Sequence, residues 1–267
     1  MVVGRYRWQE CFGYLIKVKG YSFLEAVETI IGHTAIQAPV YEKPQSKEEN
    51  KPLLLPEKCA SNRVITEYLF GRGIDFEIIN YCISNDLIFE SLPYHNVVFV
   101  GYDEKKEPKY AAYRSTNKRR IMGDCSGSKK DYSFRLGKEN LEEVHLFECA
   151  IDLLSYATLA KLNGQDWKEM SFVSLSGVYS PAKKIEDSKV PIALEKYLGS
   201  NPSVRKIRIH FDNDIAGRKA AQTLKTILPD KYEIVDEPPK AGKDFNDFLC
   251  MRMGIYNKKT HERNEER

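Results

Sequence analysis

From residue 139 to about 250 the chain alternates short apolar stretches with longer helical ones: "EEVHLFE", "AIDLLSYATLAKL", "MSFVSLSG", "PIALEKYLG", "VRKIRIHFDND", "IAGRKAAQTLKTIL" and "KYEIVDE". Parallel strands need a crossover between them, so this rhythm predicts an α/β fold: a mostly parallel sheet flanked by helices. Within "VRKIRIHFDND", Val204, Ile207, Ile209 and Phe211 are the apolar members of a strand that stops at Asp212. Asp214 then opens a helix through Ala216, Ala220, Ala221 and Leu224. Two aspartates therefore stand at the carboxyl end of a strand, the edge at which open α/β sheets bind ligands.

Two carboxylates about 4 Å apart repel by roughly 4 kcal/mol at an effective dielectric near about 20, so a close pair needs a proton, a cation or solvent. A hard divalent cation such as Mg²⁺ meets that need. The plainer reading is that Asp214 caps its helix while Asp212 faces water. A second carboxylate source lies upstream: "VHLFE" ends in Glu148, and Asp152 follows one turn into the next helix. If the two strands are neighbours, Glu148, Asp152, Asp212 and Asp214 converge on one edge. Such clusters suit phosphoryl transfer, with one carboxylate left to act as a general acid or base.

The remaining chain reads as follows. Residues 1–36 end in "YSFLEAVETIIG", a short helix capped by Ser22 with Phe23, Ala26, Val27 and Ile30 on one side. Residues 37–60 are rich in Pro, Lys, Glu and Gln and read as a linker. A smaller α+β unit over 61–138 has two helices, the second begun by Asp75, and then an antiparallel-looking block containing "NVVFVGYDEKKEPKYAAYRS" and "DYSFRL". The α/β unit occupies 139–252 and a polar tail 253–267.

At 42% hydrophobic and 30% charged residues the chain is globular rather than disordered. No apolar run reaches membrane-spanning length, and the N-terminus lacks the order of a secretion signal. The six cysteines show no Cys-x-x-Cys and no nearby His pair, which argues against structural zinc and for reduced thiols in a cytoplasm. A formal charge of +3 names no partner. The local cluster Lys118, Arg119, Arg120, Lys129, Lys130 and Arg135 is more informative, either as a solvated face or as a nucleic-acid surface.

"FECAIDLLS", "VSLSG", "IHFDNDIAGRKAA" and "GKDFNDFL", in that order, resemble the TOPRIM domain shared by bacterial-type primases, topoisomerases and some nucleases. The resemblance spans about residues 140–250. It implies Glu148 as general acid/base, Asp212 and Asp214 with Glu148 as ligands of Mg²⁺, with Mn²⁺ as a substitute, and Asp152 as a helix carboxylate supporting catalysis. Gly217 and Arg218 fall at a helix start packed against the site, and Gly177 at a tight turn beside it. Lys243, Asp244 and Asn246 match the closing motif, with Asp244 also readable as a plain helix cap and Lys243 counted among the cations that meet nucleotide. This chain has Cys149 where the family usually has glycine.

The segments "EYLFGRGIDFEIINYCISNDLIFE", "NVVFVGYDEKKEPKYAAYRST" and "GSKKDYSF" resemble the part of a DnaG-like primase core that precedes TOPRIM, as found in mobile-element proteins. That implies a basic groove for template or nucleoside triphosphate lined by Arg72, Arg114, Lys118 and Lys129. Tyr110, Tyr113, Tyr132 and Phe134 then serve as base platforms or as sheet core. Residues 1–36 resemble only the last portion of a zinc-binding module, without its ligands.

The expected function is a Mg²⁺-dependent, primase-like nucleotidyltransferase acting on single-stranded DNA with nucleoside triphosphates, in a plasmid or mobile-element system with a helicase or relaxase partner. A TOPRIM nuclease and a non-catalytic DNA-binding accessory protein are the alternatives. The chain is too short for a topoisomerase's strand gate, and it has no Walker-type Gly-x-x-x-x-Gly-Lys of the kind that accompanies such nucleases.

Overall fold

A computed structural model describes residues 51–255, apart from 178, 180 and 183, together with Leu15. The expected N-terminal helix and most of both the linker and the polar tail lie outside the described residues.

Two helices open this part of the chain, α1 (Arg63–Phe70) and α2 (Phe76–Ser84). As the sequence predicts, Asp75 caps α2, its side chain accepting from the Glu77 amide at 2.8 Å. A four-stranded antiparallel sheet follows in the order β1 (Ile88–Ser91), β2 (Asn96–Tyr102), β3 (Pro108–Arg114), β4 (Met122–Asp124). The strands β1 and β4 were not separated from their surroundings by sequence pattern: one is a four-residue tail on a helical run, the other three residues in a basic loop.

The second sheet has the order β5 (Arg135–Gly137), β7 (Ser171–Ser174), β6 (Glu143–Phe147), β8 (Lys206–Ile209), β9 (Glu233–Asp236). The last four strands are mutually parallel, as the alternation predicts, and β5 joins them antiparallel along β7. This corrects the grouping of "DYSFRL" with the antiparallel block. Arg135, Leu136 and Gly137 pair with Val173, Phe172 and Ser171, so the segment crosses into the other sheet.

Helix α3 (Ala150–Leu162) runs through the middle of the molecule. Ten of its thirteen residues are buried, which explains its lack of a polar face: it is covered on all sides rather than lying at a surface. One continuous apolar cluster joins α1, α2, Phe99 of β2, Phe134, Phe147, α3 and Leu249. A second cluster fills the opposite face of the parallel sheet, with Val144, Leu146, Ile207 and Ile209 packed against α4 (Ile192–Ser200) and α5 (Ile215–Ile227). Helix α6 (Phe245–Arg252) packs on α3 and closes the first face. No helix among the described residues is long and apolar enough to cross a membrane.

Tyr110 and Phe134 are each 1% exposed, and the Tyr110 hydroxyl donates to Asp124 Oδ1 at 2.7 Å. These two are sheet core and not base platforms. The apolar demand of a two-layer sheet claims them. Tyr113 and Tyr132 remain half-buried.

Candidate active site

The carboxyl edge of the parallel sheet gathers Glu148 after β6, the turn at Ser176 and Gly177 after β7, and Asp212 and Asp214 after β8. Strands β6 and β8 are direct neighbours, so the condition for Glu148 to meet the two aspartates is satisfied. The Asp212 amide donates to Glu148 Oε1 at 3.2 Å, and the Gly177 amide donates to the Glu148 carbonyl at 2.9 Å. Glu148 is 5% exposed. Burial, reinforced by the negative charge of Asp212, pushes its carboxyl up from 4.5 to about 7. A carboxyl that titrates near neutrality can both accept and return a proton.

Asp214 caps α5, accepting from the Gly217 amide at 2.9 Å. That hydrogen bond holds its carboxyl below the usual range, so the cap keeps it ionised. Capping and site membership are therefore compatible here. Asp212 is raised, first by burial, with Lys243 opposing. Gly217 is required by close approach: a Cβ there would stand 2.3 Å from the Asp212 carbonyl oxygen and 3.0 Å from Glu148 Oε1. Arg218 fastens the strand end, donating to the Phe211 carbonyl at 2.8 Å, the Asp212 carbonyl at 3.2 Å and Asp236 at 2.7 Å. Gly177 has φ +125°, a turn conformation suited to glycine.

The four carboxylates divide. Asp152 turns inward, with Oδ2 accepting from the Cys149 thiol at 2.8 Å and Oδ1 from the Asn246 amide at 3.2 Å. Burial, together with the charge of Asp244, raises its carboxyl above the usual range. Asp244 caps α6 through the Asp247 amide at 2.7 Å. Asn246 is 2% exposed and ties three segments, donating from its side chain to the Arg72 carbonyl at 2.9 Å and Ser155 Oγ at 3.0 Å. Cys149 thus serves Asp152, a use that a glycine at this position could not supply.

Lys243 lies against the two aspartates. Its Nζ lies 3.3 Å from Asp212 Oδ2 and 3.2 Å from Asp214 Oδ2, and those contacts raise its ammonium above its ordinary value. A positive charge is therefore accommodated between the two aspartates. Asp212 and Asp214 present carboxylate oxygens on either side of that charge, a donor type that fits a hard divalent cation. The Lys243→Met protein is expected to lose thermal stability between pH 5 and pH 8 more steeply than the native chain, because ionising Glu148 and Asp212 then places unbalanced charge beside Asp214. Melting curves across that range test this, and parallel slopes would refute it.

Of the remaining cations, Arg114 lines an apolar slot of about 270 Å³ with Tyr113, Met122, Cys149 and Gly177, beside the carboxylates. Arg72 packs over the Tyr68 ring, and its Nε is buried without a hydrogen-bond partner. Lys118 and Lys129 are exposed on the loops flanking β4. Sequence reading missed the buried pair His145 and His210, whose rings stack with Nδ1 and Nε2 2.8 Å apart. His210 Nδ1 faces the Glu237 carbonyl at 3.0 Å and so carries the proton, leaving Nε2 to accept from His145. The signal was available as two histidines on adjacent strands of the alternation, each on the face opposite Val144, Ile207 and Ile209.

Comparison with known proteins bears on this arrangement. Residues 145–249, which contain every carboxylate of the site, match a family model described as Toprim-like. Residues 145–249 form a Toprim-like domain. The segment before the Toprim-like domain, 67–140, matches a model described as Protein of unknown function (DUF3991). No curated protein matches the chain. Among solved structures, the chain is similar to the primase fragment of the bacteriophage T7 primase-helicase protein, at 19% identity over 70% of this chain and 69% of that one, with a TM-score of 0.48. It is also similar to the Aquifex aeolicus primase, zinc-binding and RNA polymerase domains, at 15% identity over 91% and 67%, TM-score 0.46. The E. coli primase catalytic core gives 12% identity over 76% and 72%, also with a TM-score of 0.46.

Proposed function

We propose that this chain is a primase-like nucleotidyltransferase that joins nucleoside triphosphates on a single-stranded DNA template. The observation that carries the reading is Glu148, titrating near pH 7 within a Toprim-like domain, hydrogen-bonded to the Asp212 amide and neighboured by Asp214. Asp212, Asp214 and Glu148 would hold a divalent cation, Mg²⁺ or Mn²⁺, which when bound neutralises phosphate oxygens and orients them. Glu148 takes the proton from the attacking 3′-hydroxyl. The new bond joins that oxygen to the α-phosphorus, and pyrophosphate leaves. Asp152, held behind Cys149, keeps the start of α3 in register with α6. Arg114 beside the slot, with Arg72, Lys118 and Lys129, meets phosphates of template or triphosphate. Tyr113 supports a base face. A cytoplasmic role in plasmid or mobile-element replication, next to a helicase or relaxase, accords with this chemistry.

The test is to incubate the protein with Mg²⁺, circular single-stranded DNA and labelled triphosphates beside Asp212→Asn. Short labelled oligomers from the native chain, reduced about 100-fold or more in the variant, are expected. Nicked template without labelled product would replace the reading with a nuclease, and neither product with DNA binding intact would replace it with an accessory role.

A further inference from the structure

Away from the carboxylate edge, three residues from three separate segments meet beside β1. Among the described residues, Cys59, Glu90 and His95 form the one group of at least three His, Cys, Asp or Glu side chains whose ligand atoms all lie within 4.8 Å of one another. The backbone holds them there. Residues 57–59 lie antiparallel along β1: the Cys59 amide donates to the Glu90 carbonyl at 2.8 Å, the Leu92 amide to the Glu57 carbonyl at 2.8 Å, and Lys58 bridges Ser91. Cys59 and Glu90 are therefore cross-strand neighbours, with side chains on the same face.

His95 comes from the hairpin between β1 and β2. Its φ of 53° turns it back toward Glu90, and its carbonyl is held by Thr116 Oγ1 at 3.0 Å. The Nδ1 atom lies 2.5 Å from Glu90 Oε1.

Glu90 is 1% exposed, and its two oxygens have different tasks. Oε2 accepts from the Val64 and Ile65 amides at 2.8 and 3.2 Å. That fixes the carboxylate plane and leaves Oε1 aimed at His95 and the Cys59 side. An outer hydrogen-bonding shell of this kind orients metal ligands. The His95 side chain is 45% exposed, so the trio has access to solvent.

We propose that Cys59, Glu90 and His95 form a site for Zn²⁺ or a similar transition-metal ion, with one coordination position open to water. A thiolate, an imidazole and a carboxylate together suit zinc and disfavour Mg²⁺ or Ca²⁺, which take oxygen ligands. With metal–ligand bonds of about 2.0–2.3 Å, closure needs only side-chain adjustment from the observed spacing. Binding displaces the Cys59 thiol proton to solvent, and His95 meets the ion through Nδ1 as neutral imidazole with its hydrogen on Nε2; the bound ion pins residues 57–59 and the hairpin tip to the antiparallel sheet. Sequence spacing argued against zinc because it searched for neighbouring Cys and His. Here the ligands are 31 and 5 residues apart along the chain and are joined by strand pairing.

The experiment is a Co²⁺ titration of the reduced, chelator-stripped full chain, followed by displacement with Zn²⁺. One equivalent of Co²⁺ giving a thiolate-to-metal charge-transfer band is expected. The band should vanish in Cys59→Ser, and affinity should weaken tenfold or more in His95→Ala, on the order of a lost ligand or orienting group. It should persist in the Asp212→Asn, Asp214→Asn double variant, which separates this site from the carboxylate edge. Zn²⁺ should raise the melting temperature of the native chain and not that of Cys59→Ser, with circular dichroism confirming that both variants fold. No binding, a band that survives Cys59→Ser, or binding abolished by the double aspartate variant would each overturn the proposal.

Discussion

Glu148→Gln is expected to make the protein more stable at pH 8 and little changed at pH 4, and, on the proposed function, to abolish template-dependent synthesis. The folded carboxyl titrates at about 7 and its ordinary value is 4.5. Between those values the folded state binds the additional proton, so stability is greatest at low pH and is lost as pH rises through the window. Above pH 7 the accumulated cost is about 3 kcal/mol. Glutamine keeps the acceptor for the Asp212 amide and carries no charge, so the cost disappears. For a chain of this size that corresponds to a melting temperature higher by roughly 5–10 °C. Thermal melts in metal-free buffer at the two pH values measure it. An increase of equal size at both would show that burial and Asp212 do not set the Glu148 ionisation. Stability gained on removing a charged group is the mark of a residue kept for chemistry rather than for folding.

Gly217→Ala should act in the opposite direction. The added methyl would meet the Asp212 carbonyl oxygen at 2.3 Å, and a backbone atom cannot swing aside as a flexible side chain can. Helix α5 must retreat from the end of β8, at a cost of roughly 1–3 kcal/mol or more. The same retreat displaces Asp214, whose cap bond is to the amide of residue 217. A displacement of about 1 Å at reacting groups costs on the order of 100-fold in rate. Urea denaturation together with the primer-synthesis assay tests both parts. A variant with native stability and native activity would mean that the helix and strand are not held at this separation.

Much of the site was legible because it rests on local grammar. An apolar strand that ends in Asp212 and a cap at Asp214 each follow from short-range rules, the alternation supplies the common edge, and Gly217 followed from the family resemblance. What could not be read is what depends on pairing between distant segments. Three residues, Arg135 to Gly137, show no preference between two sheets until their pairing with Val173, Phe172 and Ser171 is seen. The inward turn of Asp152 depends on Asn246, 94 residues later. The pairing of Lys243 with Asp212 and Asp214, about thirty residues earlier, was likewise invisible, because a charge is written in the sequence and its neighbours are not.

The placement of β5 also has a practical consequence for dissecting the molecule. A fragment cut to begin at residue 139 would remove the strand that covers the edge of β7, exposing the unpaired amides and carbonyls of Ser171, Phe172 and Val173 to other copies. It would also strip α3 of the apolar partners supplied by α1 and α2. The smallest fragment expected to keep these surfaces covered therefore begins before α1, at the extended segment that pairs with β1, and not at the point where the family resemblance changes.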